Sequence, residues 1–222
     1  MQPNNSILVL GDSLSFGRPK YNIGRFDTWP FLLSQKLDSD LIFRSNGGSR
    51  VVDVIHQARS LYGYWFDSSE IVQPFFDAIF IQVGLCDVVP RLGPLRLYPI
   101  LSRIPAFRKL ERYRNAYELF GKPWTSPRDF SANASKLVDI CRQMSTRVFF
   151  LQIADPCNYL LKNIGDFSPM VRDYNEILRS VADSSLISWC EEADASVHIL
   201  PYGQHLTSAG HRLIVKTIIK AL

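Results

Sequence analysis

Short apolar runs alternate along this chain with stretches whose hydrophobic residues recur every three or four positions. Runs at 6–10, 41–44, 76–83, 147–153 and 197–200 predict five strands. The first reads Ile7-Leu8-Val9-Leu10, and the third carries Phe76, Ala78, Ile79, Phe80, Ile81 and Val83, as buried strands do. Between them, 28–37 places Trp29, Leu32, Leu33 and Leu37 on one side, and 50–64 repeats Val51, Val52, Ile55 and Ala58. Helices are predicted there and over 131–144, 170–182 and 207–222, the last capped by Thr207 or Ser208. Strand–helix alternation of this kind predicts a doubly wound parallel α/β sheet. Right-handed crossovers bring the strand C-termini to one edge. Ser13, Gly48, Cys86 and Asp155 each follow a predicted strand, so they should share that rim. His205 can reach it from the loop before the last helix.

The alternation breaks at 88–127. Six prolines fall there (Pro90, Pro94, Pro99, Pro105, Pro123 and Pro127), which disfavours long elements across its first half, with one helix expected over 108–119. The segment holds eight basic residues and two acidic ones, a net of +6 in a chain whose total is +4. The basicity thus belongs to one insertion, in which arginines alternate with Leu, Ile, Tyr and Phe. Such a segment can be an amphipathic cover with snorkelling arginines. It can also be a lid that meets an anionic ligand or an anionic membrane surface. Confined charge without a recognition motif argues against nucleic acid.

With 222 residues, 46% of them apolar, a single domain over 1–222 with a full core is expected. No apolar run is long enough to span a membrane. From the polar opening Met1-Gln2-Pro3-Asn4-Asn5 no secretory signal is expected. The four cysteines, Cys86, Cys141, Cys157 and Cys190, form no C-x-x-C pair, so a cytoplasmic protein with reduced thiols is expected. No His, Cys or carboxylate cluster has ligand spacing, and neither metal nor cofactor is expected.

The candidate chemistry begins at Gly11-Asp12-Ser13-Leu14, at the tip of the first strand. A serine hydroxyl becomes a nucleophile only beside a base. Gly, Asp and Ser are also ordinary turn residues, so the tetrapeptide needs support elsewhere. It comes from Gln204-His205-Leu206-Thr207, where a histidine precedes a helix start. His56 and His211 fall inside predicted helices and His198 inside a predicted strand. Only His205 stands at the strand-to-helix edge.

These two blocks resemble those of the GDSL or SGNH hydrolase family, and the resemblance extends from Ile7 to about Ile218. It implies a flavodoxin-like α/β/α sandwich in which Ser13 is the nucleophile and His205 the base. Asn46-Gly47-Gly48-Ser49 resembles the block that supplies an oxyanion-hole glycine, with Gly48 the better aligned. The third block, usually Gly-x-Asn-Asp, reads Gly84-Leu85-Cys86-Asp87 here, so a weak thiol donor replaces an amide. The last block, usually Asp-x-x-His, reads Tyr202-Gly203-Gln204-His205, so the acid that orients the imidazole is missing. The Tyr202 carbonyl, Asp155 or Asp87 could orient His205 instead. The resemblance implies a cofactor-free serine esterase acting on O-acyl esters of a saccharide or small lipid. An O-acyltransferase would use the same site, and a degenerate saccharide-binding protein would explain the two departures. A nucleotide binder is disfavoured, because the first turn lacks G-x-G-x-x-G spacing.

Overall fold

The computed structural model describes residues 5–66, 75–181 and 186–222. Five parallel strands form one sheet in the order β2-β1-β3-β4-β5. They are β1 (Ser6–Gly11), β2 (Asp40–Ser45), β3 (Ala78–Gln82), β4 (Val148–Leu151) and β5 (Leu186–Ile187). The two central strands are apolar because both faces are covered: Ile7–Leu10 and Ala78–Ile81 are all buried. β1 pairs with β2 from Ser6↔Asp40 and with β3 from Ile7↔Ala78.

Long helices pack as two groups. α1 (Trp29–Leu37) meets α11 (Ser208–Ala221), while α2 (Val51–Phe66), α7 (Pro127–Arg142) and α9 (Ser168–Val181) pack in succession. The sheet and its flanking helices make the expected three-layer α/β architecture. Local chemistry marks the helix starts. Ser126 accepts from the Asp129 amide ahead of Pro127 in α7, and Thr207 accepts from the Gly210 amide ahead of α11. In α9 the buried Val171, Tyr174, Asn175 and Leu178 lie on one stripe.

Two expectations fail, and Ala182, the last residue of one predicted helix, lies outside the described residues. Residues 197–200 are not the last strand. Val197 and His198 close a short helix, α10 (Ala195–His198), and Ile199 makes a single antiparallel bridge to Leu206. The edge strand is β5 instead, too short to show a period. Residues 108–119 are not one helix. The insertion holds α3 (Leu85–Val88) at its entry, then α4 (Tyr98–Leu101), α5 (Pro105–Leu110) and α6 (Arg114–Phe120), with a break at Glu111–Tyr113. Pro105 starts α5 where its missing N–H costs nothing, and Tyr98, Phe107 and Trp124 pack edge to face beneath the segment.

Candidate active site

Strand order reverses at β1, whose neighbours β2 and β3 lead away in opposite directions; open α/β sheets bind ligands at such a point. The chain leaves β1 through a short 3₁₀ turn, Ser13–Ser15. Asp12 caps this turn, its Oδ1 accepting from the Leu14 amide at 2.9 Å. Burial raises the Asp12 carboxyl to about 7, more than that hydrogen bond lowers it. Ser15 Oγ and Trp29 Nε1 both donate to Gln82 Oε1, at 3.0 and 2.8 Å, and the Trp29 amide donates to His211 Nδ1 at 3.2 Å. The turn carrying Ser13 is thereby tied to β3, α1 and α11.

His205 arrives on a small hairpin. Ile199 bridges Leu206, the Leu200 amide donates to the His205 carbonyl at 2.7 Å, and the Thr207 amide donates to the His198 carbonyl at 2.9 Å. Cys157 Sγ donates to the Gly203 carbonyl at 2.9 Å and pins the hairpin tip. This brings His205 Nε2 to 3.2 Å from Ser13 Oγ, across 192 positions of sequence. With Nε2 unprotonated, the serine hydroxyl donates to it. Desolvation first, and the Arg18 guanidinium second, lower His205 to about 4, so the imidazole is neutral at pH 7. Arg18 itself donates from Nη2 to the Ser13 carbonyl at 3.3 Å.

The Asn46–Ser49 turn stands beside the serine. The Ser49 amide donates to the Asn46 carbonyl at 3.3 Å, and Gly48 has φ +77°, as the third residue of a type II turn requires. Gly47, the glycine that sequence alignment passed over, is also close: a Cβ there would lie 3.9 Å from Ser13 Cβ. The amides of Ser13, Gly47 and Gly48 have no acceptor among the described residues. Cys86 is buried, and desolvation pushes its thiol up to about 12, which holds it protonated as a weak donor and rules it out as a thiolate nucleophile.

The three groups proposed to orient His205 do not bond to it. Asp87 is spent elsewhere: Oδ2 accepts from the Val51 amide at 3.0 Å and Oδ1 from Thr125 Oγ1 at 2.6 Å. It caps α2 from another element, and Tyr174 donates to the Thr125 carbonyl behind it. Asp155 is exposed, with its charge felt at the Cys190 thiol. Tyr202 is 59% exposed, and its ring stacks on that of Tyr21 at 5.3 Å. No hydrogen bond joins His205 Nδ1 to the Tyr202 carbonyl or to any other acceptor among the described residues. Asn175, on α9, braces the rim: its Oδ1 accepts from the Ile153 amide at 2.8 Å and its Nδ2 donates to the Ile153 carbonyl at 2.9 Å.

A cavity of about 370 Å³ includes His205 in its lining, together with Arg91, Glu111, Arg112, Tyr117, Tyr159 and Gln204. Among the described residues no group of three His, Cys, Asp or Glu side chains could hold a metal ion, and no helix is long and apolar enough to cross a membrane.

The family model for the GDSL-like lipase/acylhydrolase family matches residues 9–213. A sequence search of curated proteins finds no match. Solved structures share the fold at low identity. A lipase/acylhydrolase from Enterococcus faecalis superposes with a TM-score of 0.64 at 11% identity, covering 98% of this chain and 94% of that one. A G-D-S-L lipolytic protein from Veillonella parvula gives 0.63 at 15% identity, covering 98% and 97%. An acetyl xylan esterase, AlAXEase, gives 0.60 at 14% identity, covering 98% and 99%.

Proposed function

Because the chain belongs to the GDSL-like lipase/acylhydrolase family, we propose that it hydrolyses carboxylic esters through an acyl-enzyme on Ser13. The observation that carries this reading is the 3.2 Å approach of Ser13 Oγ to a neutral His205 Nε2. Ser13 Oγ attacks the ester carbonyl carbon as its proton passes to Nε2. The carbonyl oxygen becomes an oxyanion, for which the unpaired amides of Ser13 and the Gly47-Gly48 turn are available donors. The Cys86 thiol supplies only a weak third. Collapse expels the alcohol, which takes the proton from Nε2. Water then gives a proton to the same nitrogen as it attacks the acyl carbon, and collapse breaks the bond to Ser13 Oγ, which takes that proton back from Nε2 as the acid leaves. Small O-acyl esters of a saccharide or lipid suit a rim that is open on one side. The insertion at 88–127 serves as a cover, a reading supported by Val89, Arg91, Glu111, Arg112 and Tyr117 in the lining of the cavity next to His205. The four free thiols support a reducing compartment such as the cytoplasm.

One observation favours a second reading, a binding protein on the same fold: among the described residues His205 Nδ1 has no acceptor to hold its tautomer. Fluorophosphonate labelling with mass-spectrometric mapping separates the two. A hydrolase labels at Ser13, and the label vanishes in His205→Ala. A folded protein that takes no label, and turns over no acetylated sugar or short ester, is a binder.

A further inference from the structure

The cavity beside His205 carries an excess of positive charge among the described residues. Two arginines, Arg91 and Arg112, and one carboxylate residue, Glu111, line it. That carboxylate is already engaged, since Tyr98 Oη donates to Glu111 Oε1 at 2.7 Å. Neither arginine makes an ion pair among the described residues. Arg91 is set firmly: its backbone bridges Lys122 and its guanidinium lies 5.3 Å from the centre of the Trp124 ring. Its Nε is buried and has no acceptor among the described residues, so the guanidinium is held in place by the ring and the bridge and not by an ion pair. Guanidinium groups match the two-oxygen edge of carboxylates and phosphates. The cavity also holds neutral polar groups suited to hydroxyls, Tyr117, Tyr159 and the unpartnered Gln204 Oε1.

We infer that this cavity binds an anionic group, a carboxylate or phosphate carried by the ester substrate, through Arg91 and Arg112. The inference rests on the Ser13–His205 reading for the word ester, but the anion site stands on its own residues. An anion there lies along the approach to His205, so the uncompensated charge selects substrates as well as attracting them.

Esters paired with and without a terminal anionic group test this. On the acyl half the pair is mono-4-nitrophenyl succinate against 4-nitrophenyl butyrate; on the alcohol half it is 2-acetoxyethyl phosphate against 2-methoxyethyl acetate. One charged member is expected to show kcat/KM at least tenfold above its neutral partner. The charged-to-neutral ratio should fall at least tenfold in Arg91→Gln and in Arg112→Gln, recover in part in Arg91→Lys, and shrink with salt. Calorimetry on the Ser13→Ala protein, with glycerol 3-phosphate and succinate against glycerol, reads the site without turnover. Binding of an anion that weakens in Arg112→Gln supports the site even if Ser13 proves unreactive, in which case only the esterase reading falls. Ratios near one in both pairs together with no anion binding, or a preference that survives both Gln variants in folded protein, overturn the inference.

Discussion

At the scale of single residues, His205 must accept the Ser13 proton with no carboxylate behind it and with the Arg18 guanidinium nearby. Desolvation of the ring, and after it the Arg18 guanidinium, favour the neutral form. The acid limb of kcat/KM should therefore fall near pH 4, well below the ordinary histidine range, because the free enzyme's base stays unprotonated down to that pH. The same low basicity weakens proton transfer. Tyr202→Asp restores an acid at the position where the family carries one, and the tyrosine it replaces is an exposed ring whose loss costs little packing. This variant should move the acid limb upward by one pH unit or more and raise kcat; a pH–rate profile that does not move would show that the side chain at 202 cannot reach Nδ1. The oxyanion side gives a companion case. Replacing the Cys86 thiol by an amide, in Cys86→Asn, should raise kcat by up to roughly a hundredfold, the size of effect that one such donor carries. Stopped-flow or steady-state turnover of 4-nitrophenyl acetate reads it, and an equal or lower rate in folded protein would remove Cys86 from the site.

Secondary-structure elements explain why Asp87 is not the missing acid. It stands beside the cysteine in sequence, but its carboxylate reaches the first amide of α2 and the Thr125 hydroxyl. A negative group at a helix N-terminus is favourable, although burial raises this one to about 6. Asp87→Ala leaves two buried partners unpaired and should cost about 1–3 kcal/mol. Asp87→Asn keeps an acceptor for Val51 and adds a donor for Thr125, so it should recover much of that loss. Chemical denaturation measures both, and fluorophosphonate labelling of Ser13 should persist in each; loss of labelling in a stable Asp87→Asn would return the residue to the catalytic machinery. This long-range cap was invisible in the sequence, because apolar periodicity reports which face is buried and not where a polar side chain ends. The same limit hid the His205 hairpin. Val197 and Ile199 alternate with polar neighbours as a strand would, but the helix-capping Asp194 and the bridge to Leu206 decide the local backbone. Ser13 and His205 were legible because a strand tip and a helix start are marked by their own flanking residues. Gly47 was not, since only the turn's three-dimensional course shows which of two adjacent glycines lies against the serine.

Across the whole molecule, buried titratable groups of both kinds collect around the switch point, and their effects on stability oppose one another. Asp12 and Asp87 have folded pKa values raised to about 7 and about 6, so between pH 5 and 6 the folded state holds protons that the unfolded chain has released. Stability from these two falls as pH rises through that window. His205 and His211 are both lowered to about 4, so over the same window the unfolded chain is the one that holds protons. Stability from these two is lost as pH falls. Two groups pull each way, and the sum should be nearly flat from pH 5 to 6. Asp12→Asn removes one acid while Asn Oδ1 can still accept from the Leu14 amide, which leaves the histidines one proton ahead. Its stability should then rise with pH, by up to about 1.4 kcal/mol per pH unit for the unbalanced proton. Urea denaturation of both proteins at pH 5.0, 5.5 and 6.0 gives the two slopes. Parallel lines would mean that Asp12 is ionised in the folded protein, and that the Ser13 turn sits on a buried negative charge rather than on a neutral carboxyl group.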